Sequence, residues 1–325
     1  MTAQPVHPVD CAPVLISVYD RKAHLQRCIE ALSKNREAAR TTLYIVSDGA
    51  KEEHHKPAID ATREYIRTID GFKAVKMRFR DKNWGMRASA LDAINWVMSE
   101  NDRMIRMEDD IICSPYYLDF MNRALSTFEH DPRIFGICAH THPRFTPPES
   151  YPHDIHLWQS FSTWGFAIWK NRWTAFLADS ETDHLQLKDP RQWKKFRSNR
   201  PILGTQARYT RGNLHLDARL NLHVFLTGRY AVFPNRTLTV NSGFDGSGTH
   251  CGTGITYARQ TLNPHPVNLP AHIEPSKKIQ HRLYNTHFSL LNHGVGSVLR
   301  KLGIFDPLFN AYKQITGTNR TAAEK

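Results

Sequence analysis

No stretch of the 325-residue chain approaches the ~20 uninterrupted apolar residues that a membrane-spanning helix requires. Residues 1–13 lack a basic start followed by an apolar run, so nothing there reads as a secretory leader, and the expectation is a protein that folds in the cytoplasm. Cysteine is sparse: Cys11, Cys28, Cys113, Cys138 and Cys251 are scattered, odd in number and never in a CxxC pair. That spacing speaks against a disulfide framework and against structural zinc, and leaves reduced, buried thiols. Internal repeats and low-complexity segments are missing too, which removes repeat architectures. Acidic residues are the short side of the charge balance, 31 Asp and Glu against 43 Lys and Arg. The formal charge of +12 points to an anionic partner, whether nucleotide phosphate, acidic polymer, nucleic acid or membrane surface.

What is present is ordinary for a globular chain: 40% hydrophobic and 23% charged residues, with length for one large core or two modest ones. The first ~140 residues alternate strands and helices. Strands are predicted at Val14–Val18, Leu43–Val46, Ala74–Phe79 and Arg103–Met107. Helices are predicted at Lys22–Leu32, Lys56–Ile69, Arg87–Met98 and Pro115–Phe128. Such alternation implies a mostly parallel sheet flanked by helices. After residue 140 the texture changes to a Pro- and His-rich stretch, a Trp-rich one at 161–173, a basic one at 188–211, and short strands with Gly-rich turns at 231–254. The expected organisation is one domain over 1–270, with a regular half at 13–140 and an irregular half at 141–270, followed by a basic amphipathic segment at 271–325.

The most informative motif is Met107-Glu108-Asp109-Asp110-Ile111. Three adjacent carboxylates repel one another, and here they sit at the C-terminal end of an apolar strand, where open α/β sheets bind ligands. Hard oxygen ligands suit Mn²⁺ or Mg²⁺, which bridge diphosphates. A solvated acidic turn is the bland alternative. Asp20-Arg21 and Asp48 follow the first two strands at the same sheet edge. A carboxylate there can accept bonds from a base or ribose, and Arg21 can meet a base or phosphate. A helix cap or a surface ion pair is the bland reading of each. Asn83-Trp84-Gly85-Met86-Arg87 opens a helix whose first amides can approach a phosphate.

Taken in order, Val14-Leu-Ile-Ser-Val-Tyr-Asp20-Arg21, Tyr44-Ile-Val-Ser-Asp48, Glu108-Asp-Asp-Ile with Ser114-Pro-Tyr-Tyr117, and Thr163-Trp164-Gly165-Phe-Ala-Ile-Trp169 resemble the GT-A glycosyltransferases. The likeness is closest to N-acetylglucosaminyltransferase I and its bacterial relatives. Pro234-Asn-Arg-Thr237 and the run from Asn241 to His250 resemble the end of the catalytic domain in bacterial members. The resemblance implies a GT-A fold over roughly residues 13–255 and a nucleotide-sugar donor. It implies that Arg21 and Asp48 touch the nucleobase and Glu108 and Asp109 the ribose side; Trp164-Gly165 is a candidate for the donor sugar because glycine lets backbone approach it. Asp110 becomes the metal ligand, with His250 completing the site. The acid after the second strand stands one place off the family pattern, which bears on Asp48.

An inverting transfer needs one carboxylate base facing away from the metal. Asp217, in Leu214-His-Leu-Asp217-Ala-Arg219, stands where the resembled family keeps that base, with an ordinary surface aspartate as the alternative and Asp245 as the next candidate. Trp158, Trp164, Trp169 and Trp173 read either as core or as a platform for sugar faces, Trp164 being the candidate exception to core packing. From residue 271 onward eight Lys and Arg face three acids, and Tyr284, Phe288, Leu291, Val295, Leu299 and Leu302 fall at helical spacing. That pattern fits a helix lying on an anionic membrane surface, or one docked on the domain.

The expected activity is a metal-dependent, inverting glycosyltransferase that moves sugar onto a glycan or lipid-linked acceptor in surface polysaccharide synthesis, cytoplasmic or peripheral on the inner membrane face. A sugar nucleotidyltransferase is the enzymatic alternative, but Tyr19-Asp20-Arg21-Lys22 lacks the glycine its phosphate loop needs. A basic nucleic-acid-binding protein is the other alternative, and no recognised motif or specific nucleic-acid partner supports it.

Overall fold

The computed structural model describes residues 11–180, 183, 188–192, 216–244 and 260–287. Among these residues an eight-stranded sheet runs in the order β3-β2-β1-β4-β8-β6-β9-β7. Its first four strands are β1 (Val14–Val18), β2 (Thr42–Ser47), β3 (Ala74–Phe79) and β4 (Arg103–Glu108). They are mutually parallel and connected by α1 (Lys22–Ser33), α2 (Lys56–Arg67) and α3 (Gly85–Glu100). The expected mixed α/β architecture with a mostly parallel sheet is therefore present. Fully buried runs such as Val14–Ile16 and Leu43–Val46 suit interior strands covered on both faces.

The second half completes the sheet in a different way. β8 (Phe166–Trp169) inserts antiparallel between β4 and β6 (Ile134–Cys138), and β9 (Tyr230–Pro234) continues parallel to β6. β7 (Ile155–Trp158) closes the edge antiparallel to β9. Two helical layers sandwich the sheet. On one face α1, α2 and α4 (Tyr117–Thr127) pack around Leu25, Ile66, Phe120 and Met121. On the other, α3, α5 (Lys170–Asp179), α6 (Leu216–Leu226) and α7 (Lys277–His287) pack around Ile94, Phe176, Leu220 and Leu283.

Residues 260–287 are strapped to the domain. Ser114 Oγ donates to Asn263 O at 2.7 Å, Arg123 Nη2 to Val267 O at 2.7 Å, and Arg133 Nη1 to Glu274 Oε1 at 2.8 Å. Val267 and Ile273 enter one core, Ile279 and Leu283 the other. Docking is thus what residues 277–287 of the amphipathic segment do, while 288–325 lie outside the described residues. No helix among the described residues is long and apolar enough to cross a membrane.

Candidate functional site

The three carboxylates emerge where β4 ends, in the interior of the sheet between β1 and β8. Side chains alternate across a strand, so Glu108 shares a face with Arg106, and Asp109 points the other way. Arg21, leaving the end of neighbouring β1, reaches across to the acid pair. Its Nη2 lies 2.5 Å from Asp109 Oδ1 and 3.1 Å from Asp110 Oδ2. Burial works against the Arg21 charge, and Asp109 with Asp110 outweighs it, so the guanidinium pKa is raised. Asp109 is pushed up to about 7 by burial, with Arg21 opposing and Asp110 and Glu108 adding to the rise. Glu108 is raised as well, by desolvation against the opposing pull of Arg106.

Short antiparallel pairing supplies the wall around Asp110. β5 (Ile111–Cys113) pairs with β10 (Thr239–Asn241), Ile111 opposite Asn241. Ser242 therefore donates its backbone N–H to Asp110 O at 2.8 Å and its hydroxyl to the same oxygen at 2.9 Å. Glycine follows, and a Cβ on Gly243 would stand 2.5 Å from Asp110 Oδ2, so a larger residue there would displace the carboxylate. Asp110 Oδ1 is buried and, among the described residues, has no hydrogen-bond partner. A buried hard oxygen left unsatisfied beside a second carboxylate fits a divalent cation. No group of three or more His, Cys, Asp or Glu side chains able to hold a metal gathers among the described residues. His250, expected to complete such a site, lies outside them, as does Asp245.

Asp48 follows β2 and acts as a helix cap, the bland reading of that residue, though for a helix that begins 37 residues further along the chain. α3 has no side-chain cap of its own. Asp48 provides one from the adjacent strand, accepting from Trp84 N and Gly85 N, each at 3.0 Å, and from Gly49 N at 3.0 Å. An anionic acceptor suits the positive end of a helix. Asp48 thus holds the 83–85 turn against the sheet edge.

Trp164 and Gly165 also lie close to the acids. Gly165 has φ +86°, and a Cβ there would meet Thr239 Cγ2 at 3.0 Å and the Tyr117 hydroxyl at 3.2 Å. Trp164 is half-buried, with His140 and Phe244 rings edge-on at 4.5 and 5.6 Å. Since Phe244 follows Gly243, this aromatic group adjoins Asp110. Trp158, Trp169 and Trp173 are core residues, 5%, 3% and 2% exposed, so Trp164 alone of the four keeps substantial contact with solvent. Asp217 lies half-buried in the first turn of α6, where a negative charge complements the helix N-terminus. The preceding residues, 193–215, fall outside the described set.

Sequence reading passed over Arg106. It is 5% exposed on β4, its Nη1 stands 3.6 Å from Glu108 Oε1, and its Nε has no partner among the described residues. Ser17, directly across on β1 from Glu108, has a buried, unpartnered hydroxyl too. The available signal was an arginine between apolar residues in Arg103-Met-Ile-Arg106-Met, two residues before Glu108 and so on its face. Three carboxylates against two guanidiniums leave one formal negative charge over.

No protein-family profile and no curated protein sequence matches the chain. Among solved structures, the mannosyltransferase PcManGT from Pyrobaculum calidifontis in complex with GDP-Man and Mn²⁺ is similar at 12% identity, over 50% of this chain and 48% of that one, with TM-score 0.33. TarS from S. aureus aligns at 12% identity over 52% and 29% of the chains, TM-score 0.32. The glycosyltransferase GlyE in Streptococcus pneumoniae aligns at 11% identity over 68% and 44%, TM-score 0.36. This chain spans less than half the length of each. Likenesses of that size do not carry an activity across, and the functional reading rests on the site.

Proposed function

We propose that the chain is a GT-A glycosyltransferase, related in kind to N-acetylglucosaminyltransferase I, that transfers a sugar from a nucleotide donor with inversion. The observation that carries this reading is Asp110. It lies where the central strand ends, with one buried carboxylate oxygen unsatisfied among the described residues and the other bound to Arg21. A divalent cation, Mn²⁺ or Mg²⁺, held by Asp110 with Asp109 nearby and His250 in reserve, would neutralise charge on the departing diphosphate. In this reading Glu108 meets the ribose side, and the turn that Asp48 holds offers its edge to the base. Gly165 lets backbone and the Trp164 ring approach the donor sugar. Asp217 takes the proton from the acceptor hydroxyl as it attacks. The acceptor is a glycan or lipid-linked chain in surface polysaccharide synthesis, and the basic segment beyond residue 287 is the part suited to an anionic membrane surface.

The test is thermal unfolding against a panel of nucleoside diphosphates, with and without Mn²⁺. A ligand at ~100 times its Kd stabilises by about 2.7 kcal/mol, an easily measured shift. The wild-type protein is expected to show Mn²⁺-dependent stabilisation by one or two of the panel. Asp110→Ala should unfold cooperatively and lose that dependence. Equal Mn²⁺-dependent stabilisation in both proteins would move the metal to another carboxylate.

A further inference from the structure

Arg21 occupies a position that a bound cation would contest. One guanidinium nitrogen bridges Asp109 Oδ1 and Asp110 Oδ2, and both carboxylate side chains are only 6% exposed. The contact is made by a side chain from the turn between β1 and α1, 88 positions earlier than Asp109, that is itself 25% exposed. The Arg21 carbonyl, in contrast, accepts the His24 and Leu25 amides that begin α1. The backbone is therefore anchored while the side chain is free to exchange partners without undoing the helix. Asp110 Oδ2 lies against Gly243, where a Cβ would stand 2.5 Å from it, so the absence of a side chain there gives the carboxylate its place beside Arg21. A divalent cation on Asp110 and the Arg21 guanidinium would then share one carboxylate, and two cations in such proximity repel.

Building on the reading of Asp110 as a cation ligand, we propose that Arg21 is an exchangeable internal counterion: it yields Asp110 to the divalent cation and passes to the diphosphate of the nucleotide. A guanidinium released from one pair of oxygens needs another, and a diphosphate offers the bidentate geometry that it prefers. The exchange couples the two ligands. Metal alone must displace a charge already satisfied by the protein, whereas metal with nucleotide supplies both a replacement cation for Asp110 and a replacement anion for Arg21. By linkage, each ligand then tightens the other by the same factor.

The experiment is direct Mn²⁺ titration, by electron paramagnetic resonance of the free ion, on wild-type, Arg21→Met, Arg21→Lys and Asp110→Ala proteins. Each is titrated first without nucleotide and then with saturating UDP, GDP, ADP or CDP. Arg21→Met should bind Mn²⁺ alone more tightly than wild type by roughly 5–50-fold, within the usual range of coupling between sites. Its gain in Mn²⁺ affinity on adding nucleotide should shrink by a similar factor, and Arg21→Lys should fall between. If Mn²⁺ binding depends on Asp110 yet Arg21→Met binds it no more tightly, the exchange is wrong while the metal reading stands. Unchanged nucleotide coupling in Arg21→Met likewise overturns the exchange. If neither protein takes up Mn²⁺ through Asp110, the metal reading fails and takes this inference with it. Should Arg21→Met prove unstable, the Lys variant and Arg21→Gln carry the same comparison.

Discussion

The two halves of the sheet are built to different rules. Residues 13–140 lay down parallel strands in regular alternation with helices, and every acid and base of the central cluster comes from their strand ends. Residues 141–287 contribute strands of three to five residues, two of them antiparallel within the main sheet, and wrap the site rather than found it. The contrast shows how a cluster of like charges is made tolerable. A regular parallel half brings Arg21 from the end of β1 and Arg106 from within β4 to the carboxylates, and an irregular half then closes the cluster from the side with Gly243 and Trp164. Burial raises Asp109 and Glu108, and the arginines hold that rise in check.

Asp217→Asn challenges this division most strongly, because it asks whether the irregular half also supplies chemistry. Turnover should fall by roughly 10²–10⁴-fold, as for loss of a positioned base, with donor affinity nearly unchanged. Steady-state kinetics at saturating donor and acceptor measure it, and near-normal turnover would pass the role to Asp245. A structural test follows from Leu283, which is 2% exposed in the core formed with α3 and α5. Leu283→Ala should destabilise the whole domain by ~2–5 kcal/mol in urea unfolding. A loss under 1 kcal/mol would mean that α7 is an appendage and not part of the second half's core.

Acid should distinguish the halves next. His156, on β7, is fully buried and pushed down to about 4 by burial, with its hydrogen bond to Asn235 opposing. The unfolded chain takes up this proton near its ordinary value of about 6.5, and the native state resists it. The contribution is whole above that value and is lost as pH falls from about 6.5 toward 4, on the order of 3 kcal/mol in all. His156→Phe keeps a ring against Phe233 and should flatten the stability profile over that window; an unaltered slope would assign it to other groups. The smallest effect is expected at the seam between halves. Gly165→Ala combines a positive φ with contacts at 3.0 and 3.2 Å and should lose ~1–3 kcal/mol of stability. An intact melting temperature would show that the seam yields.

Much of the first half was legible because each signal was local. The predicted strand at Ala74–Phe79 coincides with β3, and the helix read at Lys56–Ile69 overlaps α2 to within two residues. The carboxylate triplet and Arg21 could be picked out since strand ends in an alternating pattern share one edge. The Pro- and His-rich stretch hid β7, whose four residues are too few for periodicity to register, and the Trp-rich stretch hid β8.

Local sequence determined that this protein would have a mostly parallel α/β sheet with three acids and an arginine at its carboxyl edge. The reason is that hydrophobic period and turn chemistry act over a few residues. Tertiary structure decided the rest. Only packing could put β8 between β4 and β6, turn Asp48 into the cap of α3, or seat Gly243 against Asp110, 133 positions earlier in the chain. Those contacts depend on how sheets pair and close, and no short window of residues records the partner it will meet.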